Sequence, residues 1–248
     1  MSDWSPLKAK IQGSCPVCLG SGYVNDDLCA CAIKFRAFNR LTRGGFNEPL
    51  LDLVSGADYQ LPIVEFGLPQ LQYFMTNPFE VLSKGLGLYI FSKENGRGKT
   101  TLAHYLAYVL LWNFSKTENY DPHRTYAFEN MHEMCEKERK GWDDETWRST
   151  LLVIDDIGTE SRSAAWKKDL VISMLHRILH YRLDHCLPTI FTSNYAPASL
   201  STCYEGVLDS IMEIRPDGII AGRVFRQIEL GGGEDFRLQP AEKGGKPA

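Results

Sequence analysis

The chain reads as an α/β fold, a parallel sheet covered by helices on both faces, and three observations predict it. An apolar run, Leu88-Tyr89-Ile90-Phe91, enters a glycine-bearing turn, after which Leu102, Leu106, Val109 and Leu110 recur at helical spacing. A second apolar run, Leu151-Leu152-Val153-Ile154, ends on Asp155 and Asp156. Between and beyond these runs, strand-like and helix-like segments alternate, as a parallel sheet with crossover helices requires.

The first run carries the most chemistry. Strand, turn and helix in that order make a phosphate cradle, because the turn's N–H groups and the positive end of the new helix face one point. Asn95, Gly96, Arg97, Gly98, Lys99, Thr100 and Thr101 form it. Lys99 is placed to reach the β/γ-phosphates of a nucleotide, and the Thr100 hydroxyl to ligate Mg²⁺. Lys93 stands where the consensus has its first glycine, while Gly96 and Gly98 keep the close backbone approach.

The second run supplies the acids. Two adjacent carboxylates closing an apolar strand are costly without a cation nearby. Asp155 is expected to hold the Mg²⁺ shell and Asp156 to face the γ-phosphate and an attacking water. Such a strand is expected beside the one that leads into the phosphate turn.

The other elements follow from periodicity and punctuation. Residues 46–66 have weak periodicity and Gly/Pro/Asp breaks, so they read as a linker. Residues 68–84 read as a helix leading into the first strand. Arg124 to Phe128 is a short strand, Met131 to Lys140 a charged helix, and Trp166 to Asp184 a long amphipathic helix with Leu170, Met174, Leu175, Ile178 and Leu179 on one face. Pro188 to Asn194 is a further apolar strand, and Val224 to Leu230 a last one. His176 and His180, four apart on the long helix with no acid between them, read as surface residues and not as metal ligands.

Composition is that of a globular protein: 248 residues, 44% hydrophobic and 23% charged. The net charge of −4 gives no global basic field, so any nucleic-acid contact must be local. No apolar stretch is long enough to span a bilayer, and the N-terminus has no apolar signal region. Both point to a cytoplasmic protein without a membrane partner.

Four of the seven cysteines, Cys15, Cys18, Cys29 and Cys31, cluster near the N-terminus. In a reducing compartment this CxxC…CxC pattern reads as a closed, structural Zn²⁺ site. Next comes a basic helix, Lys34 to Arg43, with Phe35, Phe38 and Leu41 interleaved and Gly44-Gly45 as its stop. Its charges and rings could contact nucleic acid or a partner, or its charges could simply neutralise the thiolates.

Taken together, the cysteine cluster, Lys84 to Tyr89 running into the phosphate turn, Leu151 to Glu160, Leu187 to Asn194, and Gly222-Arg223 followed by Glu234 to Arg237 resemble the DnaC/DnaI-type replicative-helicase loaders. These belong to the AAA+ group that also includes the IstB transposition helpers. The resemblance implies an AAA+ sheet of the ASCE type, slow switch-like ATP hydrolysis, and homo-oligomers, while the few residues after the last strand read as too short for a separate helical lid. It also implies delivery of a DnaB-type ring helicase onto single-stranded DNA. By the same resemblance, Asn194 falls at the polar sensor position and Arg223 at the trans-acting arginine, with Arg215 and Arg226 as competitors. The implied organisation is a zinc module and basic helix at 1–45, the linker, an ATPase domain at 67–240, and a disordered tail at 241–248. The alternatives are an IstB-like helper and an adaptor that holds ATP without hydrolysing it.

Overall fold

The computed structural model describes residues 5–13, 15–116, 125–141, 145–159, 168–197, 199–200, 204 and 226–231. A six-stranded sheet organises them. Its strands are β3 (Val64–Phe66), β4 (Leu88–Phe91), β5 (Tyr126–Asn130), β6 (Leu151–Ile157), β7 (Thr189–Ser193) and β8 (Arg226–Leu230), in the spatial order β3-β8-β4-β7-β6-β5. All neighbours pair in parallel except β3, which closes the edge antiparallel to β8.

The order corrects one expectation. β6, with its acids, does not lie beside β4, because β7 is inserted between them. All five residues of β7 are buried, as suits a strand paired on both sides and covered on both faces.

Alternation along the strands builds two cores. Leu88, Ile90, Leu151, Val153 and Ile190 face one side, where they meet Leu102, Leu106 and Leu110 of α6 (Lys99–Ser115). Tyr89, Phe91, Leu152, Ile154 and Phe191 face the other. There they meet Met131 and Met134 of α7 (Met131–Arg139), and Met174, Leu175, Ile178 and Leu179 of α8 (Lys168–Asp184). Arg182 of α8 is fully buried and spends its guanidinium on Thr189 Oγ1 and the carbonyls of Trp147, Ser149 and Pro188, which ties down the starts of β6 and β7.

The stretch 46–66 is more than a linker. Asn47 caps α3 (Glu48–Val54) by accepting the Leu50 N–H, Pro49 sits in the first turn, and Leu51 and Val54 are buried. Seven residues are too few for a clear helical period, and β3 has only three. The helix expected over 68–84 is two, α4 (Leu68–Thr76) and α5 (Pro78–Lys84), because Pro78 cannot continue the first and instead starts the second.

Near the N-terminus, α1 (Ser5–Gln12) and a small hairpin of β1 (Tyr23–Val24) and β2 (Asp27–Leu28) precede α2 (Ala30–Arg43). Phe38 and Leu41 of α2 are wholly buried and share one core with α6 and β4, so they do not lie open for stacking on bases. The segment with the cysteines is thereby packed on the sheet domain. Among the described residues no helix is long and apolar enough to cross a membrane.

Candidate nucleotide and metal sites

Because β4, β6, β7 and β8 run in parallel, their carboxyl ends open on one edge, where ligands of open α/β sheets bind. β4 there enters the turn Ser92 to Gly98. Its left-handed positions are Gly96 (φ 77°) and Gly98 (φ 81°), not Lys93, so the missing consensus glycine brings no backbone strain. Gly98 is the N-cap of α6, and its carbonyl takes the Leu102 N–H at 2.7 Å. Asn95 is exposed and Gly96 buried, while Arg97, Thr100 and Thr101 are half-buried. Arg97 pairs with Glu94. The Lys99 ammonium folds back along the turn and donates to the Glu94 carbonyl at 3.2 Å.

The acids meet this turn across the sheet. Thr100 Oγ1 donates to Asp155 Oδ1 at 2.9 Å, although 55 positions separate the two. Burial raises the Asp155 pKa to about 6, a rise to which the Asp156 charge adds. Hydrogen bonds from Thr192 and Thr100 and the charge of Lys99 pull the other way. A carboxylate held back from ionising by burial is one that a cation would stabilise. Asp156 adopts a left-handed backbone (φ 59°), unusual for a residue with a side chain.

Thr192 is the site residue that sequence reasoning passed over. Its hydroxyl is fully buried, donates to Asp155 Oδ1 at 2.6 Å and accepts the Asp156 N–H at 3.0 Å. The available signal was a polar residue inside the apolar run Ile190-Phe191-Thr192. Asn194 lies just past the end of β7, and its buried Oδ1 has no hydrogen-bond partner among the described residues. Arg223 and Arg215 fall outside the described residues, as does the Arg226 side chain.

The four cysteines come together as expected. Their sulfurs lie within 4.8 Å of one another, with Cys15–Cys29 at 3.8 Å and Cys18–Cys31 at 3.3 Å. Tetrahedral Zn–S bonds of about 2.3 Å put sulfurs about 3.8 Å apart, so the set fits Zn²⁺. Burial opposes ionisation of Cys18. The Cys31 sulfur and the N–H groups of Gly22 and Gly20 outweigh it and bring its pKa down to about 6, whereas burial pushes Cys31 upward.

No family model matches the chain. Over 125 residues the chain is 32% identical to the replicative helicase loader DnaI of Bacillus subtilis, a match that covers 47% of this chain and only 36% of that protein. A crystal structure of DnaI superposes with a TM-score of 0.51 at 20% identity, over 77% of this chain and 94% of that one. The DnaC helicase loader superposes with a TM-score of 0.51 at 21% identity, over 73% of this chain and 99% of that one. The chain has the fold of the DnaI and DnaC structures and resembles the DnaI helicase loader in sequence over part of its length.

Proposed function

We propose that the chain is an ATP-dependent helicase loader that delivers a DnaB-type ring helicase onto single-stranded DNA, acting as a homo-oligomeric AAA+ ATPase. The observation that carries the nucleotide part is the approach of the Thr100 hydroxyl to Asp155 at the start of a helix and the open edge of the sheet. A hydroxyl and a carboxylate at hydrogen-bond distance beside a helix N-terminus are the donor set that Mg²⁺·ATP needs. The likeness to DnaI and DnaC supports the loader part.

In this reading the N–H groups from Asn95 to Thr101 hold the phosphates and Lys99 leaves the Glu94 carbonyl for the β/γ-phosphates. Thr100 and Asp155 hold Mg²⁺. When bound, Mg²⁺ neutralises charge on the phosphate oxygens. Asp156 orients the attacking water, and Asn194 turns its Oδ1, unpartnered among the described residues, to that water or its amide N–H to the γ-phosphate. Arg223 reaches the nucleotide of a neighbouring subunit. The four cysteines hold a structural Zn²⁺ with no open position for chemistry.

The test is to mix the chain with a purified DnaB-type helicase from the same host, with ATP or ADP, on single-stranded DNA. Co-elution with the helicase and helicase-dependent unwinding, both favoured by ATP, are expected. Absence of both association and any nucleotide effect would overturn the loader reading, and an ATPase that binds a transposase instead would favour the IstB-like alternative.

A further inference from the structure

The pairing of β6 with β7 breaks at the acids. Ile154 lies opposite Phe191 and Ile157 opposite Ser193, so Asp155 and Asp156 together face the single residue Thr192. Two residues against one is a β-bulge, a device that re-aims side chains next to active sites. The bulge turns Asp156 into the left-handed region, and its N–H points at a side chain. The Thr192 hydroxyl accepts that N–H at 3.0 Å, and its own proton goes to Asp155 Oδ1 at 2.6 Å. From the far side the bend is held by Thr159, whose hydroxyl donates to the Asp156 carbonyl at 2.7 Å.

We propose that Thr192 is a positioning residue whose one hydroxyl sets both acids, aiming the Asp155 carboxylate at the metal position and locking the bulge that presents Asp156. The proposal rests on the nucleotide reading of this site. Its chemistry is specific to a hydroxyl, because one atom must accept from a backbone N–H and donate to a carboxylate at once. Thr100 also donates to Asp155, but Thr100 is the group that would turn to the metal, which leaves Thr192 as the partner that keeps the carboxylate in place throughout. Removing a partner that fixes the orientation of a metal ligand typically costs about ten- to a hundredfold in metal affinity.

Thr192→Val keeps the shape and removes the hydroxyl, and Thr192→Ser keeps the hydroxyl and removes the methyl group. Two measurements are made on each variant and on the unchanged chain. The first is amide hydrogen exchange at Asp156 without nucleotide, which is expected to quicken by roughly tenfold or more in Thr192→Val, since that N–H loses its acceptor. The second is binding of a fluorescent ATP analogue as Mg²⁺ is titrated. In Thr192→Val, the Mg²⁺ needed for half of the full effect is expected to rise by about ten- to a hundredfold, with Mg²⁺-free affinity held within about twofold. Thr192→Ser is expected to recover most of both. If Thr192→Val does not fold, Thr192→Ala, which cannot overpack the site, takes its place.

A Mg²⁺ response in the unchanged chain that Thr192→Val leaves intact would overturn the proposal alone. So would a Thr192→Ser variant as impaired as Thr192→Val, because the methyl group and not the hydroxyl would then matter. An unchanged chain whose analogue affinity ignores Mg²⁺ would overturn the nucleotide reading itself, and the proposal with it.

Discussion

Asn47 donates its backbone N–H to Nε2 of His104 across 3.1 Å, so the N-cap of α3 is anchored to the phosphate-turn helix. Nδ1 of the same ring lies 2.8 Å from the Thr100 carbonyl, which can only accept, so the neutral tautomer with its proton on Nδ1 is assigned by its partners. Phe46 and Phe128 pack against the ring, with centroids 5.3 Å and 4.7 Å away. Burial lowers the pKa to about 4, and the bond to Thr100 offsets this only in part.

A pH dependence follows from this arrangement. The folded pKa lies below the ordinary 6.5, so the contribution of His104 to stability is complete above pH 6.5 and is lost as pH falls toward 4. The full span is worth roughly 3 kcal/mol. Asp155, whose folded pKa is raised, has the opposite sign: its contribution is present below its ordinary range and lost as pH rises through about 6. The comparison is therefore between the unchanged chain and His104→Phe, by urea unfolding at pH 7.5 and pH 5. The variant is expected to lose less stability between the two, and an equal loss would place the acid sensitivity elsewhere.

Lys99→Ala should weaken ATP binding while leaving the fold intact. The Lys99 ammonium donates to the Glu94 carbonyl of the turn, and charged hydrogen bonds of about 1.5–3 kcal/mol correspond to about ten- to a hundredfold in affinity. Nucleotide titration with circular dichroism as the folding control checks this, and unchanged affinity would remove the turn from the binding site.

Asp155→Asn and Asp156→Asn should cost turnover more than binding, with hydrolysis down by about a hundredfold and nucleotide affinity much less affected. Steady-state hydrolysis beside direct binding separates the two effects. Full activity in both variants would mean that the bulge is structural only.

The purified chain should carry one zinc per four-cysteine cluster, measurable by elemental analysis. Chelation should speed hydrogen exchange over residues 15–31, because metal binding is local folding energy in so small a segment. The amides of α2 beyond Cys31 should keep their protection, since Phe38 and Leu41 are buried in the main core. Four freely titrating thiols in the native protein would contradict the site.

Gly44→Ala tests how α2 sits on the sheet. A Cβ at Gly44 would fall 1.8 Å from the Tyr126 carbonyl oxygen, while the Gly44 carbonyl already takes the Phe128 N–H at 2.7 Å. Backbone on both sides leaves no soft way out, so urea unfolding should show a loss of roughly 3 kcal/mol. A loss within experimental error would mean that α2 is not docked there.

The sequence by itself determined the local pieces. The apolar runs, the glycines at 96 and 98, the paired acids and the cysteine spacing were all legible because each depends on neighbours a few positions away: strand period, turn chemistry, ligand spacing. The helix at Met131 and the long one ending at Asp184 were legible for the same reason. Three things were decided only by tertiary structure. The place of β7 between β4 and β6 depends on pairings between strands far apart in sequence, which no local period encodes. Residues 46–66 gained a helix and an edge strand because Asn47, Leu51 and Val64 find caps, core and a partner strand in the folded chain. The role open to Thr192 arises because a bulge sets two residues of one strand against one of another, and that mismatch exists only once the two strands are paired.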